Sequence, residues 1–195
     1  MLESPPNIFA AIMAAGRASR FGATKQIASY AGEPLAGHAA AVARRAFGDR
    51  VLNVLGHDLS AVLHALGPDG GFAIVNDDYE QGLGSSIACA ARSCRELADA
   101  LVIVLADQPL VTAAHLRDLV EAWSGAEHRI VATAFDDTRG PPVLFPRAAF
   151  DDLSRLRGDR GAHTLLRDSR FELRSIRFQL AAVDIDLPAD LDAIS

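Results

Sequence analysis

The run Ile8-Phe9-Ala10-Ala11-Ile12-Met13 is apolar at every position and ends in Ala14-Ala15-Gly16. A strand with no polar alternate residue has no face for water, so it belongs in the interior of a sheet covered on both sides. Apolar runs of strand length, interrupted by Asn53 and Thr133, recur at Val51 to Leu55, Phe72 to Val75, Leu101 to Ala106 and Ile130 to Ala134. Between most of these runs lie segments of helical length and pattern: Leu35 to Phe47, Leu59 to Leu66, Gly84 to Leu97 and Ala113 to Trp123. Alternating strands and helices of these lengths specify right-handed crossovers in a mostly parallel sheet, an α/β fold. At 195 residues the chain suits one domain, expected over 1–195. The pattern changes after Ala134, dividing it into a regular half, 1–134, and a less regular half, 135–195. There Asp136 to Pro142 is dense in turn formers and predicts a hairpin or flap. A short strand at Val143-Leu144-Phe145, helices at Arg147 to Arg155 and Ala162 to Asp168, and a strand at Leu173 to Phe178 follow.

In open parallel sheets ligands bind beyond the carboxyl ends of the strands, and the chemistry-bearing residues gather there. The first strand exits into Met13-Ala14-Ala15-Gly16-Arg17-Ala18-Ser19-Arg20-Phe21-Gly22, with Lys25 close behind. Small residues expose amide N–H groups, Gly16 and Gly22 permit positive φ, and Arg17, Arg20 and Lys25 bring three cations to one turn. A triphosphate is the expected guest, although an ordinary strand exit with solvated cations would read the same in isolation. The spacing matches neither the Walker loop nor the G-x-G-x-x-G fingerprint. With a formal charge of −6, the chain repels nucleic acid and anionic membranes, so these cations form a local site for a small anionic partner.

The fourth run, Leu101 to Ala106, ends in Asp107-Gln108-Pro109. Pro109 restricts its neighbour to extended conformations and holds Asp107 near the ligand edge, where a strand-end carboxylate suits magnesium beside phosphate oxygens. A helix-capping or turn role is the alternative for that carboxylate. Gly82-Leu83-Gly84-Ser85-Ser86 opens a helix and offers backbone and hydroxyl groups to a nucleotide, or else simply an N-cap. Near the end, Asp184 and Asp186 share one face of an extended segment before Pro188; one of them completes a metal site or caps the last helix. Cys89 and Cys94, five apart in a helical stretch, read as core thiols rather than a disulfide. The histidines His38, His57, His64, His115 and His128 show no metal-ligand spacing and receive no site role. The chain opens on no basic, apolar leader and has no apolar run near the roughly 18 residues of a membrane span, so a soluble cytoplasmic protein is expected.

Taken in order, Met13 to Gly22 with Lys25, Gly82 to Ser86, Asp107 to Pro109, Gly140 to Phe145, Gly158 to His163 and Asp184 to Leu191 resemble the MobA-like nucleotidyltransferases, most closely the molybdenum cofactor cytidylyltransferases. The resemblance spans nearly the whole chain. It implies a three-layer, Rossmann-like fold of the nucleotide-diphospho-sugar transferase type, and transfer of CMP from CTP to the terminal phosphate of molybdopterin with release of pyrophosphate. Lys25, Arg20 and Asp107 are then catalytic. Ala14, Ala15, Gly16, Arg17, Lys25, Gly82, Gly84, Ser85 and Ser86 bind nucleotide, and Asp107 with Asp186, or less favourably Asp184, holds Mg2+. Gly140, Gly158, Asp159 and Gly161 face the acceptor. Guanylyl-transferring relatives carry Gly where Ala15 stands, hence CTP over GTP. Partners implied are CTP, a phosphorylated pterin and a molybdoenzyme that receives the product. Met13, Pro141, His163 and Leu187 depart from the family pattern, three of them in the acceptor segments. That leaves open a guanylyl, sugar-phosphate or alcohol-phosphate transferase, or a non-catalytic pterin carrier.

Overall fold

The computed structural model describes residues 5–18, 20–68, 70–159 and 161–194; Ser19 of the first loop and Arg160 of the later glycine-rich turn lie outside the described residues. Strand β1 (Ile8–Met13) is followed by a two-stranded ribbon, β2 (Ser29–Tyr30) and β3 (Glu33–Pro34), and helix α1 (Leu35–Phe47). Next come β4 (Val51–Leu55), α2 (Leu59–Leu66), β5 (Phe72–Val75), α3 (Leu83–Cys94), β6 (Ala100–Leu105) and α4 (Ala113–Trp123). The remainder is β7 (Arg129–Phe135), β8 (Thr138–Pro146), α5 (Phe150–Leu153), β9 (Glu172–Arg177) and α6 (Pro188–Asp192).

Seven strands form one sheet in the order β5-β4-β1-β6-β8-β7-β9. All neighbours pair in parallel except β8, which runs antiparallel to both β6 and β7. The strand period of two divides the core. Ala10, Ile12 and Ala14 face α1, α2 and α4 on one side, while Ala11, Met13 and Ala15 face α3 and α5 on the other. The three-layer, mostly parallel arrangement expected from the apolar runs is the one observed. The chain winds outward from β1 through β4 to β5 and then returns to place β6 on the opposite flank of β1. A crevice therefore opens between the carboxyl ends of β1 and β6, the place such sheets reserve for ligands.

The second half departs from expectation. The strand at Val143 to Phe145 extends over nine residues, because a register shift between Ala132 and Thr133 lets Pro141-Pro142 stand out of the β7–β8 ladder. Proline cannot donate to a ladder, and a bulge absorbs it without ending the strand. The expected helix Arg147 to Arg155 is a 3-10 turn, Arg147–Ala149, followed by the single turn of α5. Of Ala162 to Asp168 only the 3-10 turn Leu165–Arg167 forms, pinned by buried Leu165 and Leu166. Cys94 is a buried thiol whose pKa burial pushes up to about 12, while Cys89 is only half-buried. Among the described residues no helix is long and apolar enough to cross a membrane.

Candidate active site

The loop after β1 and the loop after β6 meet across the crevice. Lys25 Nζ donates to Asp107 Oδ2 at 2.7 Å, with the two side chains only 12% and 26% exposed. Lys25 also lies 3.6 Å from Asp186 Oδ1, and Arg20 donates to Asp186 Oδ2 at 2.7 Å. The two contacts differ in weight. Exposed pairs such as Arg20–Asp186, where Arg20 is 74% exposed, are worth about 0–1 kcal/mol. Losing one partner of a largely buried pair strands the other charge, at a cost nearer 3–5 kcal/mol. Lys25–Asp107 therefore fixes the geometry, and Arg20 remains free to move toward an anion. Arg17 departs from the expected cluster: it pairs with Glu80 at 2.8 Å, across the turn that leads to α3.

Each half of this contact is held by a buried amide. Gln26, next to Lys25, donates to the Gly16 carbonyl at 2.8 Å and ties the lysine to the loop. Gln108, next to Asp107, donates to the Ala181 carbonyl at 2.9 Å, and the Ile185 amide donates to the Asp107 carbonyl at 2.9 Å. These two bonds bring the C-terminal segment over the end of β6. Asp190 caps it from below, accepting from the amides of Asp186 and Leu187 at 2.8 and 2.7 Å. With Ile185 fully buried between them, Asp184 and Asp186 are both presented at the crevice. Burial, and then the neighbouring Asp107, raise the Asp184 carboxyl to about 6. Neither Gln26 nor Gln108 was assigned a role from sequence; the only available signal was adjacency to Lys25 and Asp107.

Asp107 passes a specific test for a divalent cation. Its Oδ2 is taken by Lys25, but Oδ1 is buried with no hydrogen-bond partner, an orphaned anionic oxygen that a hard cation would satisfy. Asp186 and Asp184 are the carboxylates beside it. Among the described residues no cluster of three or more His, Cys, Asp or Glu forms a closed cage, so such an ion would complete its shell with water and phosphate oxygens.

The remaining predicted residues take varied places. In the first loop positive φ falls on Gly22 at 76° and Ala18 at 50° rather than on Gly16, whose missing side chain leaves open space above the crevice. Ala14 and Ala15 are buried in opposite cores, so the Ala15 methyl packs toward α3 rather than into the opening. Gly82 and Gly84 are required by packing within the protein: a Cβ on Gly82 would collide with Asp159, and one on Gly84 would sit 2.8 Å from the Arg157 backbone. The Gly84 amide donates to the Gly158 carbonyl at 2.8 Å. Ser85 and Ser86 are buried and accept from Asn76 at 2.8 and 3.1 Å, so their hydroxyls secure the start of α3. Gly140 and Gly161 line a cavity on the α3 side of β6 and β8, while Gly158 and Asp159 form the turn against Gly82.

A family model described as the MobA-like NTP transferase domain matches residues 10–175. Over 152 residues the chain is 31% identical to the bifunctional protein GlmU of Trichlorobacter lovleyi, covering 76% of this chain and 32% of that protein. It is 31% identical over 124 residues to the purine catabolism protein PucB of Bacillus subtilis, covering 62% and 59%. The chain thus spans about a third of the first relative and less than two thirds of the second. Among solved structures it is similar to Rv0371c from Mycobacterium tuberculosis H37Rv, with a TM-score of 0.86 and 31% identity over 98% of each chain. A manganese complex of that protein superposes with a TM-score of 0.80 and 29% identity, over 96% of this chain and 97% of that one.

Proposed function

We propose a reaction on the premise that this chain belongs to the MobA-like NTP transferase family: it moves a nucleoside monophosphate, CMP by preference, from its triphosphate to the phosphate of a small organic acceptor. An acceptor phosphate oxygen attacks the α-phosphorus, a new P–O–P bond forms, and the α–β bond breaks with its electron pair leaving on pyrophosphate. The attacking group is already anionic, so no general base is needed; the work is alignment and neutralisation of charge.

The observation that carries this reading is the single contact between Lys25 and Asp107 at the switch point of the sheet. A cation and a metal-competent carboxylate 2.7 Å apart can address one polyphosphate together. Lys25 neutralises charge growing on the α-phosphate and the leaving group, and Arg20 swings from Asp186 to the outer phosphates. Backbone amides near Gly16 receive phosphate oxygens from the open side. Asp107 through Oδ1, with Asp186 in preference to Asp184, would hold Mg2+, which would supply positive charge to neutralise the phosphates. The manganese in the complex of the similar Rv0371C supports a divalent ion here.

CTP is preferred on the strength of Ala15 in the motif resemblance, since its buried methyl gives no direct contact to a base. The same resemblance names a phosphorylated pterin as acceptor, with sugar or alcohol phosphates as the second class, and Pro141, His163 and Leu187 alter the pterin side of the pattern. Pyrophosphate release from CTP, GTP, ATP and UTP, each against pterin, sugar-phosphate and alcohol-phosphate acceptors with Mg2+, tests the reading. CTP is expected to give the highest rate. An empty matrix with the metal carboxylates intact defeats the transferase and leaves the carrier.

A further inference from the structure

We infer that the acceptor carries a compact apolar group, of the size of one benzene ring, which inserts into the cavity between α3, β6 and β8. This rests on the transferase reading and narrows its acceptor. The cavity holds about 140 Å³ and is walled by Leu83, Ile87, Ile103, Val143, Phe145 and Leu166. Among the described residues Arg139 and His163, both exposed, are the only polar side chains that reach it, and the Arg139 Nε donates to Ser175 Oγ at 2.9 Å. A cavity of about 150 Å³ lined by such residues stays dry and takes up benzene. A pterin would press ring N–H and C=O groups against this apolar wall, and each one buried without a partner would cost about 1–3 kcal/mol. A sugar ring meets the same penalty through its hydroxyls.

Position makes this an acceptor cavity rather than a packing defect. Val143 lies opposite Ile103 in an antiparallel pair, so β8 climbs from Val143 back to Pro141 and Gly140 toward the edge where β6 ends in Asp107. Pro141 and Gly140, which line the cavity, thus lie on the side of it that faces the sheet edge carrying Asp107. A phosphate monoester of a small aromatic or branched aliphatic alcohol spans the two: hydrocarbon in the cavity, phosphate at the cations. Pro141 adds an apolar wall at the mouth, where the resemblance carries histidine.

The test uses the full chain with fluorobenzene, phenyl phosphate, N-acetylglucosamine 1-phosphate and 6-hydroxymethylpterin phosphate. Fluorine NMR of fluorobenzene reads the cavity alone: saturable binding is expected, weakened at least about tenfold by Ala162→Phe, which fills it from the 161–166 wall. Leu166→Phe serves where thermal melting shows that Ala162→Phe has not folded. No saturable binding, or binding that neither folded variant alters, overturns the inference. Pyrophosphate release from CTP then reads the acceptor, with kcat/KM at least about tenfold higher for phenyl phosphate than for the sugar or pterin phosphate. The reverse order overturns the inference and leaves the transferase standing. Silence with every acceptor while fluorobenzene binds defeats the transferase, and with it the assignment of the cavity to an acceptor.

Discussion

At the scale of single residues, the account turns on how few groups do the chemistry and how many hold them. Lys25→Ala is expected to lower turnover by roughly 10²- to 10³-fold, the usual loss for one preorganised charge-stabilising donor. Arg20→Ala, whose partner contact is exposed, should cost less; steady-state pyrophosphate kinetics on both variants check the order. The sequence made Lys25, Asp107 and Asp186 legible because each sits at a strand exit or beside a proline-led helix, positions that chain topology carries to one edge. Gln26 and Gln108 were not legible, since what makes them matter is burial beside those residues. Gly82 and Gly84 carry a constraint hidden in the sequence for a related reason: glycine signals a close approach but not what approaches, and the Arg157 to Asp159 turn packs against both. Gly84→Ala should therefore destabilise the fold by roughly 1–3 kcal/mol in urea unfolding, whether or not nucleotide is present.

Among elements, the β7–β8 hairpin and α4 were each expected, but the buried polar chain that joins them was not. The Thr133 hydroxyl donates to the Pro142 carbonyl, so His115 Nε2, 2.7 Å from the same oxygen, must be the donor to it. The ring also stacks on Phe178 at 4.2 Å. This buried chain braces the bulge that lets Pro141 and Gly140 line the cavity, yet a histidine on a helix gave no hint of it in the sequence. Burial lowers the His115 pKa to about 4 from an ordinary value of 6.5. Between those values the unfolded chain binds a proton that the folded chain refuses, so stability falls as pH drops from about 6.5 toward 4. The Asp184 carboxyl, raised to about 6, pulls the other way over the same range, so the ring is read by difference: relative to His115→Gln, the wild type should lose unfolding free energy on the order of 3 kcal/mol between pH 6.5 and about 4. A difference between wild type and His115→Gln that stays constant across that range would refute this placement of the ring. The helices expected at Arg147 to Arg155 and Ala162 to Asp168 shrink to the single turn of α5 and the 3-10 turn at Leu165–Arg167, because apolar residues at helical spacing bury equally well in short turns held by tertiary contacts.

For the whole molecule, the α/β alternation and the carboxyl-edge crevice followed directly from unbroken apolar strands joined by helices of crossover length. The pairing of β8 did not follow, because its prolines argue against a central strand until a bulge is known to absorb them. That inserted strand lets the second half of the chain wall a cavity on a sheet begun by the first. If the crevice is one site, a ligand that fills it should stabilise the folded state: CTP with Mg2+ at 100 times its Kd adds about 2.7 kcal/mol, visible as a raised melting temperature. The most direct measurement is CTP affinity by calorimetry, with and without Mg2+, in the wild type, Lys25→Ala and Asp107→Asn. Tighter binding with magnesium in the wild type, loss of that gain in Asp107→Asn, and weaker binding under both conditions in Lys25→Ala are predicted. Wild-type affinity and an undiminished magnesium effect in both variants would contradict a shared polyphosphate site.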